Sequence, residues 1–192
     1  MRKRAAVCVL FVGFVAGAFG QEKWDIAKTT IDGKRVTIEY GCPILEDRTI
    51  SDLLKLLPKD RIWRAGAGAL TLLSTETDLM IGEKRVAAGN YSLYMYCPEN
   101  GDYALVVNSN IGLQPNETLG KATVDRSNRA YPAFMDYTGT IAATEIARIP
   151  MKRISAPRTQ RLIYYFEPTD NGATLTIRWG DQAWSVGFQP AE

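Results

Sequence analysis

The chain has 192 residues, with 23 lysines and arginines, 21 aspartates and glutamates, and no histidine. Without an imidazole base, Ser-His-Asp and Cys-His catalytic sites are excluded, and so are the common zinc and non-haem iron sites that draw on histidine. The near balance of charges gives no global attraction for nucleic acid, and neither a cofactor nor a metal is expected.

The first twenty residues predict a signal peptide. Three basic residues precede an uncharged run that ends in the small residues Ala16-Gly17-Ala18-Phe19-Gly20. Cleavage is predicted before Gln21, with a cut after Ala18 as second choice; the alternative is an uncleaved N-terminal anchor. Residues 1–20 hold three of the 23 basic residues, so the mature chain has 20 basic against 21 acidic residues, a net charge of −1. We expect export to the periplasm, cell envelope or medium, with no membrane span after leader removal.

Apolar and polar residues alternate along much of the remaining chain, a pattern typical of half-buried strands. The clearest case places Ala173, Leu175, Ile177 and Trp179 on one face. Turn signals such as Asp170-Asn171-Gly172 separate the runs. The predicted strands are, in chain order, 26–31, 34–40, 69–74, 77–81, 84–87, 90–97, 102–108, 143–153, 160–167, 173–179 and 183–189.

One short helix is predicted at Ser51–Leu57, with Ser51 as its N-cap and Pro58 as its stop. Residues 109–140 break the strand pattern and are expected to form a long irregular loop or insertion, functional or disordered. Residues 21–192 are therefore expected to form a single all-β domain, an antiparallel β-sandwich or jelly roll with one short helix.

Two cysteines follow the leader, Cys42 and Cys97. In an oxidising compartment an even pair favours a disulfide, which is the prediction here. The alternative is two unpaired buried thiols.

Several motifs resemble a family of exported bacterial proteins known only as domain of unknown function number 2911. They are Ile62-Trp63-Arg64-Ala65-Gly66-Ala67, Ala88-Gly89-Asn90-Tyr91-Ser92-Leu93, Ile38-Glu39-Tyr40-Gly41-Cys42-Pro43, Asp47-Arg48 and Leu162-Ile163-Tyr164-Tyr165-Phe166-Glu167-Pro168. The resemblance covers about residues 27–110 and 141–189. It implies bacterial export and an all-β fold, and it supplies no activity.

Five residues are candidates for ligand binding. An arginine fork beside an aromatic ring can grip a carboxylate, phosphate or sugar while the ring stacks on it, which singles out Trp63 and Arg64. The structural alternative packs Trp63 in the core and pairs Arg64 with an acid such as Glu39 or Asp47. Tyr94 and Tyr96 are candidates for an aromatic sugar platform, or for ordinary sheet packing. Arg48, within the Asp47-Arg48 element, completes the set.

Two functions from different classes remain open. The first is non-catalytic binding of a small molecule, glycan or envelope protein. The second is a histidine-free, carboxylate-dependent hydrolase or lyase acting on carbohydrate, which needs two carboxyls about 5–10 Å apart in a cleft. The acids are scattered along the sequence without a strand motif that pairs them, so binding is the leading hypothesis.

Overall fold

The computed structural model describes residues 24–67, 70–111, 137 and 142–191. The predicted leader, and the predicted 109–140 loop apart from residues 109–111 and Tyr137, lie outside the described residues. Within the described ranges no helix is long and apolar enough to cross a membrane.

Two antiparallel sheets make up the fold, which confirms the prediction of an all-β sandwich. The first sheet contains β1 (Trp24–Ile31), β2 (Lys34–Gly41), β3 (Ile62–Trp63), β4 (Thr71–Thr75), β7 (Gly89–Tyr96), β8 (Ala104–Asn108) and β9 (Glu145–Pro150). The second contains β5 (Leu79–Ile81), β6 (Lys84–Val86), β10 (Lys152–Arg153), β11 (Thr159–Thr169), β12 (Gly172–Gly180) and β13 (Gln182–Pro190). The strand order is β1-β2-β4-β7-β8-β9 in the first sheet, with β3 paired to β7, and β11-β12-β13-β5-β6 in the second, with β10 paired to β13.

The strand alternation builds the core between the two sheets. Val36, Ile38 and Tyr40 of β2 face inward and are almost fully buried, and Trp184 and Phe188 of β13 face them from the second sheet's side. A separate buried cluster lies on the outer face of the first sheet. Its members are Ile62, Leu70, Tyr94, Val106 and Tyr137.

Three details differ from the sequence prediction. The predicted strand at 143–153 is split at Met151, whose N–H donates to the Tyr103 carbonyl, so that β9 and β10 belong to different sheets. The two-residue strand β3 is absent from the prediction, because two residues are too few to show an alternation of apolar and polar side chains. The helix α1 spans Ile50–Lys55 and is capped by Thr49, not Ser51, because the Thr49 hydroxyl accepts the N–H of Asp52.

Candidate functional site

The outer face of the first sheet carries an open groove of about 580 Å³. We call it the outer groove. It is lined by Ile26, Lys28, Arg35, Thr37, Glu39, Ser74, Thr75, Glu76, Gly89 and Asn90. These residues come from β1, β2, β4, β7 and the turn after β4.

Strand register brings the polar groups of the outer groove into one row. Thr37 lies opposite Lys28 on β1 and opposite Ser74 on β4, and Ser74 lies opposite Asn90 on β7. Side chains two residues apart share a face, so Glu39 and Arg35 flank this row on β2. The result is a strip of ammonium, hydroxyl and amide groups that crosses four adjacent strands.

The charges of the outer groove balance. Its lining has two basic residues, Lys28 and Arg35, and two acidic residues, Glu39 and Glu76. The Arg35 guanidinium donates to Glu76 at 2.6 Å and 3.2 Å, and the backbone N–H of Arg35 donates to the same carboxylate at 3.0 Å. A ligand without net charge is therefore the best electrostatic match.

The same ion pair argues against Glu76 as a general acid. Hydrogen bonds from Arg35 lower the pKa of Glu76, which keeps this carboxylate ionised at neutral pH. A general acid needs the opposite shift, a raised pKa. Among the described residues no group of three or more Cys, Asp or Glu side chains is placed to hold a metal ion.

Trp63, the first sequence candidate, packs between the sheets. Its ring stacks on Trp179 of β12, with centroids 5.3 Å apart and planes 15° from parallel. It is half-buried and packs against the main core. Arg64 follows directly and is also half-buried. Neither residue lines the outer groove.

The loop after Arg64 is fixed by buried contacts. Ala65 is fully buried in the left-handed region at φ 59°, and its carbonyl accepts hydrogen bonds from Tyr164 at 2.6 Å and Thr71 at 3.1 Å. The carbonyl of Ala67 lies so close to Gly41 that a Cβ on that glycine would stand 1.9 Å from the oxygen. The Trp-Arg-Ala-Gly-Ala element therefore has a packing role: it joins the two sheets.

The other three candidates also lie outside the outer groove. Arg48 donates to the carbonyls of Leu45 at 3.1 Å and Ile44 at 2.9 Å and so closes its own turn. Tyr94 is only 6% exposed and meets Tyr137 edge-on, which removes it from any sugar platform. Tyr96 is half-buried, with the Arg148 guanidinium 4.7 Å from its ring centre. Tyr94 therefore presents no exposed ring face to a ligand.

Buried polar residues next to Tyr94 hold Tyr137, the segment that follows β8 and the segment that precedes β9. Asn108 is fully buried; its amide donates to the Tyr137 hydroxyl at 2.8 Å and accepts from the Thr144 hydroxyl at 2.8 Å. Ser92, also fully buried, donates to the Asn110 carbonyl at 2.6 Å. These hydrogen bonds satisfy the buried groups, so their role is structural.

The predicted Cys42–Cys97 disulfide is not formed in the structure, and both sulfurs are buried. The Cys42 sulfur is directed at the Tyr40 carbonyl at 3.9 Å and the Cys97 sulfur at the Met95 carbonyl at 3.6 Å. Each thiol thus contacts the backbone of its own strand and not the other sulfur. Burial raises the pKa of Cys97 to about 12.

The sequence alone does not mark Lys28, Thr37, Ser74 or Asn90, the residues in the row that crosses the outer groove, as site residues. Each is an outward polar position of an alternating strand, and that signal is visible in the sequence. What the sequence does not show is that β1, β2, β4 and β7 are neighbours, because β4 and β7 are separated in the chain by two strands of the other sheet.

Comparison with known proteins supports a family and no activity. Neither a curated protein nor a solved structure matches the chain. The sequence pattern of one family matches residues 23–188, a range that includes both sheets almost completely. The resemblance seen in the sequence motifs is thereby confirmed, and the chain belongs to the family described as "Protein of unknown function (DUF2911)".

Proposed function

We propose that this protein is a non-catalytic, exported binding domain that holds a polar ligand without net charge, such as an oligosaccharide, in the outer groove. The observation that carries the proposal is the row of Lys28, Thr37, Ser74 and Asn90 across four neighbouring strands. Hydroxyl, amide and ammonium groups supply both donors and acceptors, which sugar hydroxyls require.

The size of the outer groove supports a small ligand. Its volume of about 580 Å³ lies within the range of small-ligand sites. Ile26, which is 45% exposed, offers the groove an aliphatic surface for the apolar face of a sugar ring. None of the described residues that line the groove is aromatic, so in this proposal hydrogen bonds supply most of the affinity.

The test is a binding screen of residues 21–192 against soluble oligosaccharides that include neutral, amino-sugar and acidic chains. For an oligosaccharide that binds, Thr37→Ala and Asn90→Ala should each weaken affinity roughly threefold to tenfold, because each removes a hydrogen bond of about 0.5–1.5 kcal/mol. Isothermal titration calorimetry gives the dissociation constants.

Thr174→Ala is the matched control. Thr174 is also a half-buried, outward threonine, but it lies on β12 of the other sheet. Its substitution should leave affinity unchanged. If no oligosaccharide in the screen binds, the glycan proposal is refuted. Equal losses of affinity in the Thr37→Ala and Thr174→Ala variants would refute the location of the site.

A further inference from the structure

A second cavity of about 440 Å³ lies at one end of the sandwich, separate from the outer groove. We call it the end pocket. Five parts of the fold meet there: α1, the segment before β3, the turn between β7 and β8, and the strands β10 and β13. It is lined by Ile50, Ser51, Leu54, Lys55, Arg61, Pro98, Glu99, Tyr103, Arg153 and Gln182.

The lining of the end pocket is positively charged. It includes three basic residues, Lys55, Arg61 and Arg153, against one acid, Glu99. This excess of +2 contrasts with the balanced charges of the outer groove. Cationic side chains that converge on a cavity raise the local concentration of anions.

The three basic side chains differ in the hydrogen bonds and ion pairs that they already make within the protein. The Lys55 ammonium lies 3.3 Å from the Asp52 carboxylate. Arg61 donates to the carbonyls of Leu54 at 2.9 Å and Cys97 at 3.1 Å, which fixes its guanidinium in the wall. The Arg153 guanidinium, by contrast, makes neither a hydrogen bond nor an ion pair within the part of the chain that the structure describes, although the residue itself is paired with Trp184 in the β10–β13 ladder. Arg153 is therefore the group with donors to offer a ligand.

The remaining lining fits the other parts of an organic anion. Ser51, Tyr103 and Gln182 bring neutral polar groups, while Ile50, Leu54 and Pro98 form an apolar wall. The pKa of Tyr103 is raised by burial, and the positive charges of Arg153 and Arg61 act against that rise. The tyrosine hydroxyl therefore lies within the electrostatic influence of both arginines.

We propose that the end pocket binds a small organic anion through its carboxylate or phosphate group. The oxyanion would be held by Arg153 and the fixed guanidinium of Arg61, since arginine forks match the geometry of both groups. The carbon skeleton would lie against Ile50, Leu54 and Pro98. The volume exceeds that of a lone inorganic ion, which favours an anion with an organic part.

The test is calorimetric titration of residues 21–192 with citrate, glucose 6-phosphate, inorganic phosphate and uncharged glucose. Citrate or glucose 6-phosphate should bind, glucose should not, and the stronger of the two anions distinguishes a carboxylate site from a phosphate site. Binding should weaken as sodium chloride is added. Arg153→Gln should weaken binding about tenfold or more, the loss expected for a charge-assisted hydrogen bond.

Glu99→Gln should act in the opposite direction and tighten binding, because among the described residues it removes the one acidic side chain that lines the end pocket. Arg158→Gln is the charge-matched control: Arg158 is exposed and lies outside the lining, so its loss should leave affinity unchanged. Thr37→Ala in the outer groove should also leave it unchanged, which separates this site from the proposed glycan site.

Each alternative outcome overturns the proposal. It fails if neither organic anion binds, if Arg153→Gln and Arg158→Gln weaken binding equally, or if Glu99→Gln weakens it. Arg153 and Glu99 are exposed, so both variants should fold, and circular dichroism with an unchanged melting midpoint checks this.

Discussion

The hydroxyl of Tyr164 donates a 2.6 Å hydrogen bond to the carbonyl of Ala65, a residue held in the left-handed region at φ 59°. The two residues are 99 positions apart and belong to opposite sides of the sandwich. Left-handed backbone is unfavourable for alanine by roughly 1–2 kcal/mol, so the surrounding packing must hold it there. The segment from Trp63 to Ala67 thus joins the two sheets.

Gly41→Ala should destabilise the protein severely. The new Cβ would stand 1.9 Å from the Ala67 carbonyl oxygen, a contact that only backbone movement can relieve. Overpacking typically costs about 1–3 kcal/mol, and a clash with backbone belongs at or above the top of that range. The free energy of unfolding from urea titration measures the loss.

Gly187→Ala is the matched control for Gly41→Ala. Gly187 is also a strand glycine, and its added Cβ would meet nothing within 4 Å. The change should be neutral or stabilising by up to about 1 kcal/mol, because alanine restricts the unfolded chain more than glycine. Equal losses in both variants would show that the close approach of Gly41 and Ala67 is wrong.

Tyr164→Phe should lower stability by about 1 kcal/mol, because it removes the hydroxyl that donates to Ala65 from a fully buried position. Thr71 still donates to the same carbonyl, which limits the loss. For a domain of this size the melting midpoint should fall by roughly 2–4 °C. Tyr165→Phe, a change in the half-buried neighbour on the opposite strand face, should shift the midpoint by less than half as much. A larger shift from Tyr165→Phe would contradict the assigned role of Tyr164.

Both cysteines should be reduced thiols that are protected from reagents in the native protein. Cys42 is 4% exposed and Cys97 is 1% exposed, and thiol reagents attack the exposed thiolate. Ellman's reagent at pH 8 should detect no thiol in native residues 21–192 and about two per chain in denaturant without reductant. A denatured sample without free thiols would restore the disulfide predicted from the sequence.

The sequence was informative about strands and much less so about the site. Alternation identified the inward faces of β2 and β12, because burial of one face imposes a period of two. Chain order did not reveal that Thr37 and Asn90 share a groove, or that Arg61 and Arg153 share a pocket, since both pairs depend on how strands from distant parts of the chain are arranged. The sequence alone suggests that Tyr94 is a surface aromatic residue. Tyr137, whose ring packs against it, lies in the 109–140 segment, where apolar and polar residues do not alternate.

Stability should fall as the pH rises above 9, and Cys97 should set the onset. Its pKa is about 12 in the folded state against 9.0 for an ordinary thiol, because burial disfavours the charged form. Between these values the unfolded chain releases a proton that the folded chain retains, so alkaline conditions favour unfolding. The contribution is fully present below pH 9, and at pH 10 the loss from this one group is on the order of 1 kcal/mol.

Buried tyrosines add to the alkaline loss at higher pH. Burial raises the pKa of Tyr40 and of Tyr164 above the ordinary value of 10.0, so their contribution begins about one unit later than that of Cys97. Urea titrations from pH 7 to pH 10.5, with reductant present, should therefore show a decline in wild type that starts near pH 9. Cys97→Ala should be less stable at pH 7, because it leaves a small cavity, yet its decline should start nearer pH 10. Parallel declines in the two proteins would mean that the Cys97 thiol is not held protonated by burial in the core.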